Sequence, residues 1–398
     1  MESEMSQPIV QPVVIVGAGQ SAAQAVVSLR QLGETAPILM FGDEPHPPYQ
    51  RPPLSKAFLG GETTAERLAL KAAAFYAEQG AALHLDRRIA AIHPTDHAVE
   101  TVDGERFAYG RLLLATGMRP RPLPIPGTDL PGVHHVRAIR DVDAFRAELL
   151  PGARLVVVGG GYIGLETAAK ARTLGLDVVV LEGASRLLQR VVSPVISAFF
   201  EERHRREGVR FMLDARIDAI EGAARATGVR LASGKVVPAD VVLVAIGGLP
   251  NVELAAQAGL AVNNGVVVDE ATRTSAPDIF AAGDVASFPS RLYGRRIRLE
   301  SVQNAIDQAK AAAAAMAGAP VSYDPVPWFW SDQYDVKLQI AGLSEGYDAT
   351  VLDGDPNSGA FSVEYRRGGK LLAVDSVNAP RAHMLARRAI PASLAGSP

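Results

Sequence analysis

The sequence predicts an α/β fold made of two similar units of parallel strands and helices, one inserted in the other, and a smaller α+β domain. Three observations predict it. Two glycine-rich segments each follow a short apolar run rich in β-branched residues. Further along, each unit contains a second apolar run that ends in glycine. The region from Val321 onwards holds both tryptophans and shows mostly strand and turn patterns.

The first unit begins with the apolar run VVIV at residues 13–16 and the glycine segment GAGQSA at 17–22. Such a run is typical of a buried parallel strand. Apolar residues then recur at helical spacing until Gly33, and the run ILMF at 38–41 follows. This order predicts a strand, a tight glycine turn, a helix and a returning strand.

The second unit repeats this order, with LVVV at residues 155–158 and GGGYIG at 159–164. A helical pattern follows, Gly175 ends it, and VVVL at 178–181 returns as a strand. A glycine turn at this point lets the backbone approach a pyrophosphate, whose charge is met by N–H groups and the positive end of the helix. The sequence therefore predicts two Rossmann-like dinucleotide-binding domains.

Proline-rich and glycine-rich punctuation marks the domain boundaries. The segment RPRPLPIPG at 119–127 leaves the first unit, and GGLPN at 247–251 marks the return. A helix predicted from about Val302 to Met316 completes the first unit. The predicted domains are a first dinucleotide-binding domain at 8–118 with 248–320, a second at 119–247 and a C-terminal α+β domain at 321–398.

Composition excludes several classes of partner and mechanism. The formal net charge of -3 over 398 residues offers no polycationic surface for nucleic acid. No apolar run approaches the roughly 18 residues that a membrane span needs, so we expect a cytoplasmic protein without a membrane partner. The chain has no cysteine, which excludes disulfides and redox-active thiols. The histidines lack metal-binding spacing, so no metal site is predicted.

An acidic residue at the end of the returning strand decides which coenzyme the second unit binds. Glu182 occupies that position, where a carboxylate accepts hydrogen bonds from the adenosine ribose and repels a 2'-phosphate. We therefore predict NADH rather than NADPH, although Arg186 and Arg190 lie close enough to weaken the preference. In the first unit the returning strand is followed by two candidate acids, Asp43 and Glu44. Of these we expect Asp43 to contact the ribose or adenine region of the first nucleotide.

The segment TSAPDIFAAGD at residues 274–284 identifies the first cofactor. It resembles the second FAD signature of flavoproteins that bind two dinucleotides, in which the Asp after the Gly binds the ribityl chain. That position is Asp284 here.

The whole chain resembles the FAD-dependent ferredoxin reductases of bacterial cytochrome P450 and dioxygenase systems, the putidaredoxin reductase type. The most specific marks are YQRPPLSK at 49–56, GGGYIGLE at 159–166, ESVQNA at 300–305 and PWFWSDQ at 327–333. The resemblance implies a glutathione-reductase-like fold with FAD and NADH as cofactors. It also implies hydride transfer from NADH to FAD, followed by single-electron transfer to a [2Fe-2S] ferredoxin.

The resemblance and the glycine patterns together give a set of expected site residues. The expected FAD contacts are Gly17, Gly19, Gln20, Ser21, Ala22, Asp43, Arg51, Pro53, Lys56, Ile89, Thr116, Gly117, Arg137, Gly283, Asp284, Ser301, Val302 and Trp330. Of these, Ile89 and Arg137 come from the resemblance alone. The expected NADH contacts are Gly159, Gly161, Ile163, Gly164, Glu182 and Gly247.

Three residues are expected to take part in catalysis: Lys56, Glu166 and Trp330. Pro52 and Pro53 predict a rigid turn before a helix that begins near Leu54, so Lys56 would be held against the flavin. In the family, Glu166 faces this lysine, and Trp330 lies near the isoalloxazine and the ferredoxin surface. Ser301 is a predicted N-cap, which aims the positive end of the next helix at the flavin.

Such ferredoxins are typically acidic, so a basic docking patch is expected for a transient complex. Lys310 and Lys337 are the first candidates, and Arg387 and Arg388 come after them. Rubredoxin stays open as an acceptor, and a monomer or weak dimer is expected. The peroxidase branch of this fold uses cysteine, which the chain lacks. Two other functions stay open: an NADH oxidase on the same fold, and an apoptosis-inducing-factor-like NADH-flavin binding protein.

Overall fold

The computed structural model describes residues 11–395. Residues 8–10 of the first predicted domain and 396–398 of the last lie outside the described residues. The chain separates into two compact units. The first unit runs up to Gln50 and includes Ala69–Met118 and Pro250–Pro325; the second unit comprises Arg51–Leu68, Arg119–Leu249 and the chain from Val326 onwards. The division into three domains stays a prediction.

The strands and helices are numbered here in chain order. The strands are β1 Val13–Val16, β2 Ile38–Phe41, β3 Ala81–His84, β4 Ile89–His93, β5 Ala98–Thr101, β6 Arg106–Ala108, β7 Arg111–Leu114, β8 Met118–Pro120, β9 Val133–His134, β10 Arg154–Val158, β11 Asp177–Leu181, β12 Arg210–Met212, β13 Ile217–Glu221, β14 Gly228–Leu231, β15 Val236–Pro238, β16 Val241–Val244, β17 Gly248–Pro250, β18 Val266–Val267, β19 Ile279–Ala281, β20 Ala286–Ser290, β21 Arg295–Ile297, β22 Trp328–Gln333, β23 Val336–Gly342, β24 Ala349–Asp355, β25 Ala360–Arg367 and β26 Lys370–Val377. The α-helices are α1 Gln20–Gln31, α2 Ala65–Leu68, α3 Ala73–Glu78, α4 Ile139–Arg146, α5 Tyr162–Thr173, α6 Pro194–Arg206, α7 Glu253–Gln257, α8 Val302–Met316 and α9 Pro380–Ala395, with short 3-10 helices at Pro52–Ser55 and Pro356–Ser358.

The first unit is built on a parallel sheet of five strands in the order β19-β7-β1-β2-β3. β1 lies at its centre, with Val13 opposite both Ile38 and Arg111. Helices α1 and α8 pack together through fully buried residues such as Val26 and Ala309. The strand, glycine turn, helix and strand predicted for residues 13–41 are therefore confirmed, as is the helix Val302–Met316.

The second unit contains a matching parallel sheet in the order β12-β11-β10-β16-β9. α5 follows β10 directly, and Gly175 lies just beyond its end at φ +86°, a conformation that glycine adopts readily. The predicted duplication is confirmed, because each sheet carries its glycine loop at the carboxyl end of a central strand.

The carboxyl-terminal part of the second unit is an antiparallel sheet in the order β22-β23-β26-β25-β24, against which α9 packs. The α+β character predicted from Val321 onwards is confirmed. This sheet shares one hydrophobic core with α5 and α6, in which Leu165 and Phe200 lie with Phe361 and Tyr365, all at most 2% exposed. Among residues 11–395, no helix combines the length and apolar character needed to cross a bilayer.

Candidate functional site

The first glycine loop joins β1 to α1 and has space on its outer side. Gly17 has φ +115°, and a Cβ there would overlap the carbonyl oxygen of Ala115, so only glycine fits. A Cβ on Gly19 would meet no atom of residues 11–395 within 4 Å. Gly19 is also the N-cap of α1 and supplies no side-chain cap. The loop therefore presents the positive end of a helix beside an open cradle, which suits a pyrophosphate.

Ser21 and Gly283 lie together in the first unit. A Cβ on Gly283 would touch the Ser21 hydroxyl, which brings the first turn of α1 next to the Gly283-Asp284 turn. The Gly283 N–H donates to Oε1 of Gln308 at 2.9 Å, and Gln308 is fully buried. A neutral amide thus fixes the turn that carries Asp284.

The amino-terminal end of α8 is fixed by a second set of neutral groups. Ser301 is its N-cap, as predicted, and the Ser301 hydroxyl accepts a hydrogen bond from the Asn304 N–H at 3.1 Å. The Tyr323 hydroxyl donates to Oδ1 of Asn304 at 2.9 Å. The helix that begins at Val302 is therefore held in place at its positive end.

The two candidate acids after β2 differ in their surroundings. Asp43 is exposed, whereas Glu44 accepts a hydrogen bond from the Tyr49 hydroxyl at 2.7 Å. Thr116 and Asn251 hold each other, since the Thr116 hydroxyl donates to the Asn251 carbonyl and the Asn251 amide donates to the Thr116 carbonyl, both at 2.8 Å. The other expected FAD contacts in the first unit are Gln20 and Ala22 in α1, Ile89 in β4, and Gly117 after β7.

The second glycine loop joins β10 to α5 with the same geometry. Gly159 has φ +109°, and a Cβ there would overlap the Ala245 carbonyl oxygen. A Cβ on Gly164 would overlap the Gly159 carbonyl oxygen, so this glycine lets the helix approach the strand closely. Gly161 is the N-cap of α5 and supplies no side-chain cap, and a Cβ there would meet no atom within 4 Å in the described part of the chain.

Glu182, directly after β11, is bound to the second loop. Its Oε2 accepts from the Gly160 N–H at 2.6 Å, and its Oε1 accepts from the Ala184 N–H at 2.7 Å. Arg186 is engaged elsewhere, because it donates to the Val192 carbonyl at 2.8 Å and to Ser197 at 2.7 Å. The two remaining expected NADH contacts are Ile163, exposed on α5, and Gly247, at φ +94° after β16.

The Lys56 ammonium lies 2.5 Å from Oε2 of Glu166, so the pairing implied by the resemblance is present. The Glu166 side chain is only 6% exposed, against 22% for Lys56. Two hydroxyls complete the site: Ser55 donates to Oε2 at 2.6 Å and Ser331 donates to Oε1 at 2.7 Å. Three donors therefore meet a buried group that, when ionised, has only acceptors.

The helix predicted to begin near Leu54 is wrong. Pro52–Ser55 forms a single 3-10 turn, and Lys56 follows with φ -130° and ψ -110°, outside helical geometry. The two prolines are compatible with the first turn of a helix, but the backbone leaves helical geometry at Lys56, so only one 3-10 turn forms. This turn places Ser55 and Lys56 side by side on Glu166.

Arg51, Arg137 and Trp330 belong to the second unit. Arg51 donates to the Arg137 carbonyl at 2.6 Å. Trp330 is half-buried, with its ring centroid 5.7 Å from that of Trp328. The Arg387 guanidinium lies 5.0 Å from the Trp328 ring. The flavin contacts expected for Arg51, Pro53, Lys56, Arg137 and Trp330 stay predictions.

The two lysines of the expected docking patch are more than half exposed, and each lies near a carboxylate. Lys310 in the first unit is 3.3 Å from Asp307, and Lys337 in the second unit is 3.7 Å from Asp332. Exposed pairs at these distances are weak. The patch stays a prediction.

Sequence reasoning missed the residues that hold the expected site residues in place. Ser55 and Ser331 bind Glu166, Gln308 binds Gly283, and Asn251 binds Thr116. Ser55 and Ser331 lie within two of the motifs that mark the resemblance, but no spacing in the sequence relates either of them to Glu166.

Comparison with known proteins agrees with this architecture. The model of the pyridine nucleotide-disulphide oxidoreductase family matches residues 11–309, and the reductase C-terminal family matches residues 328–397. The chain belongs to the pyridine nucleotide-disulphide oxidoreductase family, which confirms the predicted fold class and an oxidoreductase activity.

Individual relatives extend over nearly the whole chain. Rhodocoxin reductase of Rhodococcus erythropolis is 46% identical over 94% of this chain and 88% of its own length. The ferredoxin reductase subunit of 5,5'-dehydrodivanillate O-demethylase from a Sphingobium strain is 45% identical over 94% and 92%. A solved structure of the covalent putidaredoxin reductase-putidaredoxin complex matches with a TM-score of 0.93 at 41% identity, over 96% of this chain and 93% of the other. The resemblance to ferredoxin reductases of the putidaredoxin reductase type is thereby confirmed.

Proposed function

We propose that this chain is an NADH-dependent flavoprotein reductase that supplies electrons to a [2Fe-2S] ferredoxin serving a cytochrome P450 or related oxygenase. The observation that carries the proposal is the pairing of Lys56 with the buried Glu166 in the unit that bears the second glycine loop. The family is named for disulphide chemistry, whereas this sequence has no cysteine. Electrons therefore do not pass through a cysteine pair of this sequence, and relatives named as ferredoxin reductases suggest a ferredoxin as the acceptor.

The first unit suits FAD by its open loop at Gly19 and the fixed amino-terminal end of α8. We assign residues 8–118 and 248–320 to the FAD-binding domain, with the loop and Ser21 at the pyrophosphate and Asp43 and Asp284 at hydroxyl groups. When bound, FAD takes a hydride from NADH and releases its electrons one at a time. Val302 and the first turn of α8 place partial positive charge where reduction adds negative charge.

Residues 119–247 are assigned to NADH. Gly161 and Gly164 let the coenzyme pyrophosphate approach the start of α5. Glu182 is held by two backbone N–H groups, so its carboxylate is fixed where the adenosine ribose binds. That negative charge disfavours the 2'-phosphate of NADPH.

Lys56 is assigned to the hydride path, where its ammonium donates a hydrogen bond and stabilises growing negative charge. Glu166 holds the ammonium in one place, and the turn at Pro52–Ser55 limits the freedom of the backbone before it. Residues 321–398 are assigned to the acceptor interface, with Trp330, Lys337 and Arg387 as candidates there and Lys310 from the FAD-binding domain. A cytoplasmic location fits the use of NADH.

Anaerobic titration with NADH, followed by flavin absorbance and by addition of candidate ferredoxins, tests the proposal. We expect a yellow protein that one equivalent of NADH bleaches and that an added [2Fe-2S] ferredoxin reoxidises. A Lys56→Met variant should keep its flavin and be reduced about 100-fold more slowly, as expected for a lost donor to developing charge.

Lys170→Met is the matched control, because Lys170 also pairs with a carboxylate in the second unit, 2.6 Å from Glu62. It should be reduced at the normal rate. A colourless protein would contradict the proposal. Reoxidation by a rubredoxin but by no ferredoxin would make rubredoxin the acceptor in place of ferredoxin. Equal reduction rates for Lys56→Met and the unaltered protein would remove Lys56 from the hydride path.

A further inference from the structure

A chain of buried hydrogen bonds extends from Glu166 into the second unit. The Ser331 hydroxyl donates to Oε1 of Glu166 at 2.7 Å and accepts from the Gln333 side-chain amide at 3.2 Å. Oε1 of Gln333 in turn lies 2.8 Å from Nε2 of His204. Ser331, Gln333 and His204 are each at most 1% exposed.

The direction of each bond is fixed by the chemistry at the two ends. Burial lowers the pKa of His204 to about 4, so its imidazole is neutral near pH 7 and carries a single N–H. The Gln333 carbonyl can only accept, so His204 donates from Nε2. All three hydrogen bonds then point towards the Glu166 carboxylate: His204 donates to Gln333, Gln333 to Ser331, and Ser331 to Glu166. Hydrogen bonds aligned in this way strengthen one another.

These hydrogen bonds fix the position of Glu166 and do not carry a proton to it. The Gln333 amide does not release a proton near neutral pH, so no proton passes from His204 to Glu166. The hydrogen bonds instead hold the Ser331 hydroxyl as a fixed donor to Oε1 of Glu166. Ser55 and Lys56 share Oε2, whereas in residues 11–395 only Ser331 donates to Oε1.

We propose that Ser331, held by Gln333 and His204, is a positioning residue that sets the orientation of Glu166 and through it the place of the Lys56 ammonium. The inference rests on the proposed function for its catalytic consequence. Without the Ser331 hydroxyl, Oε1 would be buried with no donor, and the carboxylate would turn towards other donors. Lys56 would then lose its fixed partner and become more mobile.

Chemical labelling of lysines tests the proposal directly on the purified full-length chain. N-hydroxysuccinimide acetate at neutral pH, followed by proteolysis and mass spectrometry, measures the acetylation rate of Lys56. In Ser331→Ala this rate should rise about threefold as the ion pair loosens. Lys170 is the internal reference, since it is similarly exposed and paired with Glu62.

Ser376→Ala is the matched control variant. Ser376 is fully buried in β26 of the same sheet, and its hydroxyl has no partner in the part of the chain that the structure describes. It should leave the labelling of Lys56 unchanged. Gln333→Leu removes the hydrogen bond to Ser331, one bond further from Glu166, and should raise Lys56 labelling less than Ser331→Ala does. Ser331→Thr keeps the hydroxyl and should give the normal rate of Lys56 labelling.

The second measurement is flavin reduction by NADH under anaerobic stopped-flow conditions. In Ser331→Ala the limiting rate should fall about tenfold, the effect of one lost charge-assisted hydrogen bond, with NADH affinity unchanged. Unchanged Lys56 labelling, or an equal rise at Lys170, would overturn the proposal. So would a normal reduction rate in a variant with raised Lys56 labelling. If the unaltered protein holds no flavin, the proposed function fails, while the labelling still decides the positioning.

Discussion

The two units fix their loops with different chemistry. In the first unit the groups are neutral amides: Gln308 holds the Gly283 N–H, and Asn251 holds Thr116 through a pair of hydrogen bonds. In the second unit the corresponding groups are carboxylates. Glu182 holds the N–H of Gly160, and Glu166 holds Lys56.

This difference fits the different demands on the two sites. A pyrophosphate already carries negative charge, so neutral amides fix the Gly283 turn and Thr116 in the first unit without adding repulsion. That suits a cofactor that stays bound through many turnovers. Under the proposed function, the Glu182 carboxylate makes coenzyme binding selective because its charge rejects a further phosphate, which suits a coenzyme that must bind and leave.

The second unit also holds a buried acid away from its loop. Asp375 in β26 is fully buried and accepts a hydrogen bond from the Tyr365 hydroxyl, while its Oδ1 has no partner within residues 11–395. Burial raises the pKa of Asp375 to about 7. The second unit therefore has a titrating group in its core, and its stability should respond to pH.

The largest effect should come from placing a charge among the amides of the first unit. Gln308→Glu keeps an acceptor for the Gly283 N–H but buries an unpaired carboxylate, which destabilises the first unit by about 4 kcal/mol. The temperature of flavin release should fall by about 10 °C at pH 8. At pH 5 the fall should be smaller, since the acid can take up a proton.

Gln257→Glu is the matched control, because Gln257 is exposed in the same unit and the change of atoms is the same. Its flavin should be released at the normal temperature. If Gln308→Glu behaved like this control, neutrality at the Gly283 turn would have no energetic importance, and the comparison between the units would fail.

The next effect concerns Asp375 and the pH dependence of the second unit. Its pKa is about 7 in the folded chain, above the ordinary value of 3.8 that applies on unfolding. Between these values the folded chain keeps a proton that the unfolded chain releases, so stability falls as pH rises through this window. From pH 5 to pH 8 the free energy of unfolding should fall by about 2 to 3 kcal/mol relative to Asp375→Asn, which does not titrate.

Denaturation followed by tryptophan fluorescence measures this, because both tryptophans, Trp328 and Trp330, lie in the second unit. Asp353→Asn, an exposed change in the same sheet, should follow the pH dependence of the unaltered chain. Parallel profiles for Asp375→Asn and the unaltered chain would show that Asp375 does not titrate in this range.

The sequence predicts the loops well because each depends on neighbours in the chain. β-branched runs predict β1 and β10, and the glycines predict turns that only glycine can adopt. Ser301 was predicted as a cap for the same reason, since its partner Asn304 lies three positions away. Local chemistry is enough for these features.

The residues that hydrogen-bond to the expected site residues cannot be predicted in this way. Ser331 binds Glu166 across 165 positions and His204 binds Gln333 across 129, so these contacts exist only once the chain has folded. The helix predicted to begin near Leu54 is wrong for a different reason. Two prolines are compatible with the start of a helix, and only the conformation of Lys56 after them shows that no helix follows.

The smallest effect should come from removing the charge of Glu182. Glu182→Gln removes the negative charge that is expected to repel a 2'-phosphate and leaves one acceptor oxygen, so one of the two N–H groups of Gly160 and Ala184 keeps its hydrogen bond. The ratio of kcat/KM for NADH to that for NADPH should fall about tenfold, equivalent to about 1.4 kcal/mol. Glu202→Gln, the same change at an exposed position of the second unit, should leave this ratio unaltered. A similar fall in both variants would mean that the preference reflects the net charge of the chain and not a carboxylate fixed at the second loop.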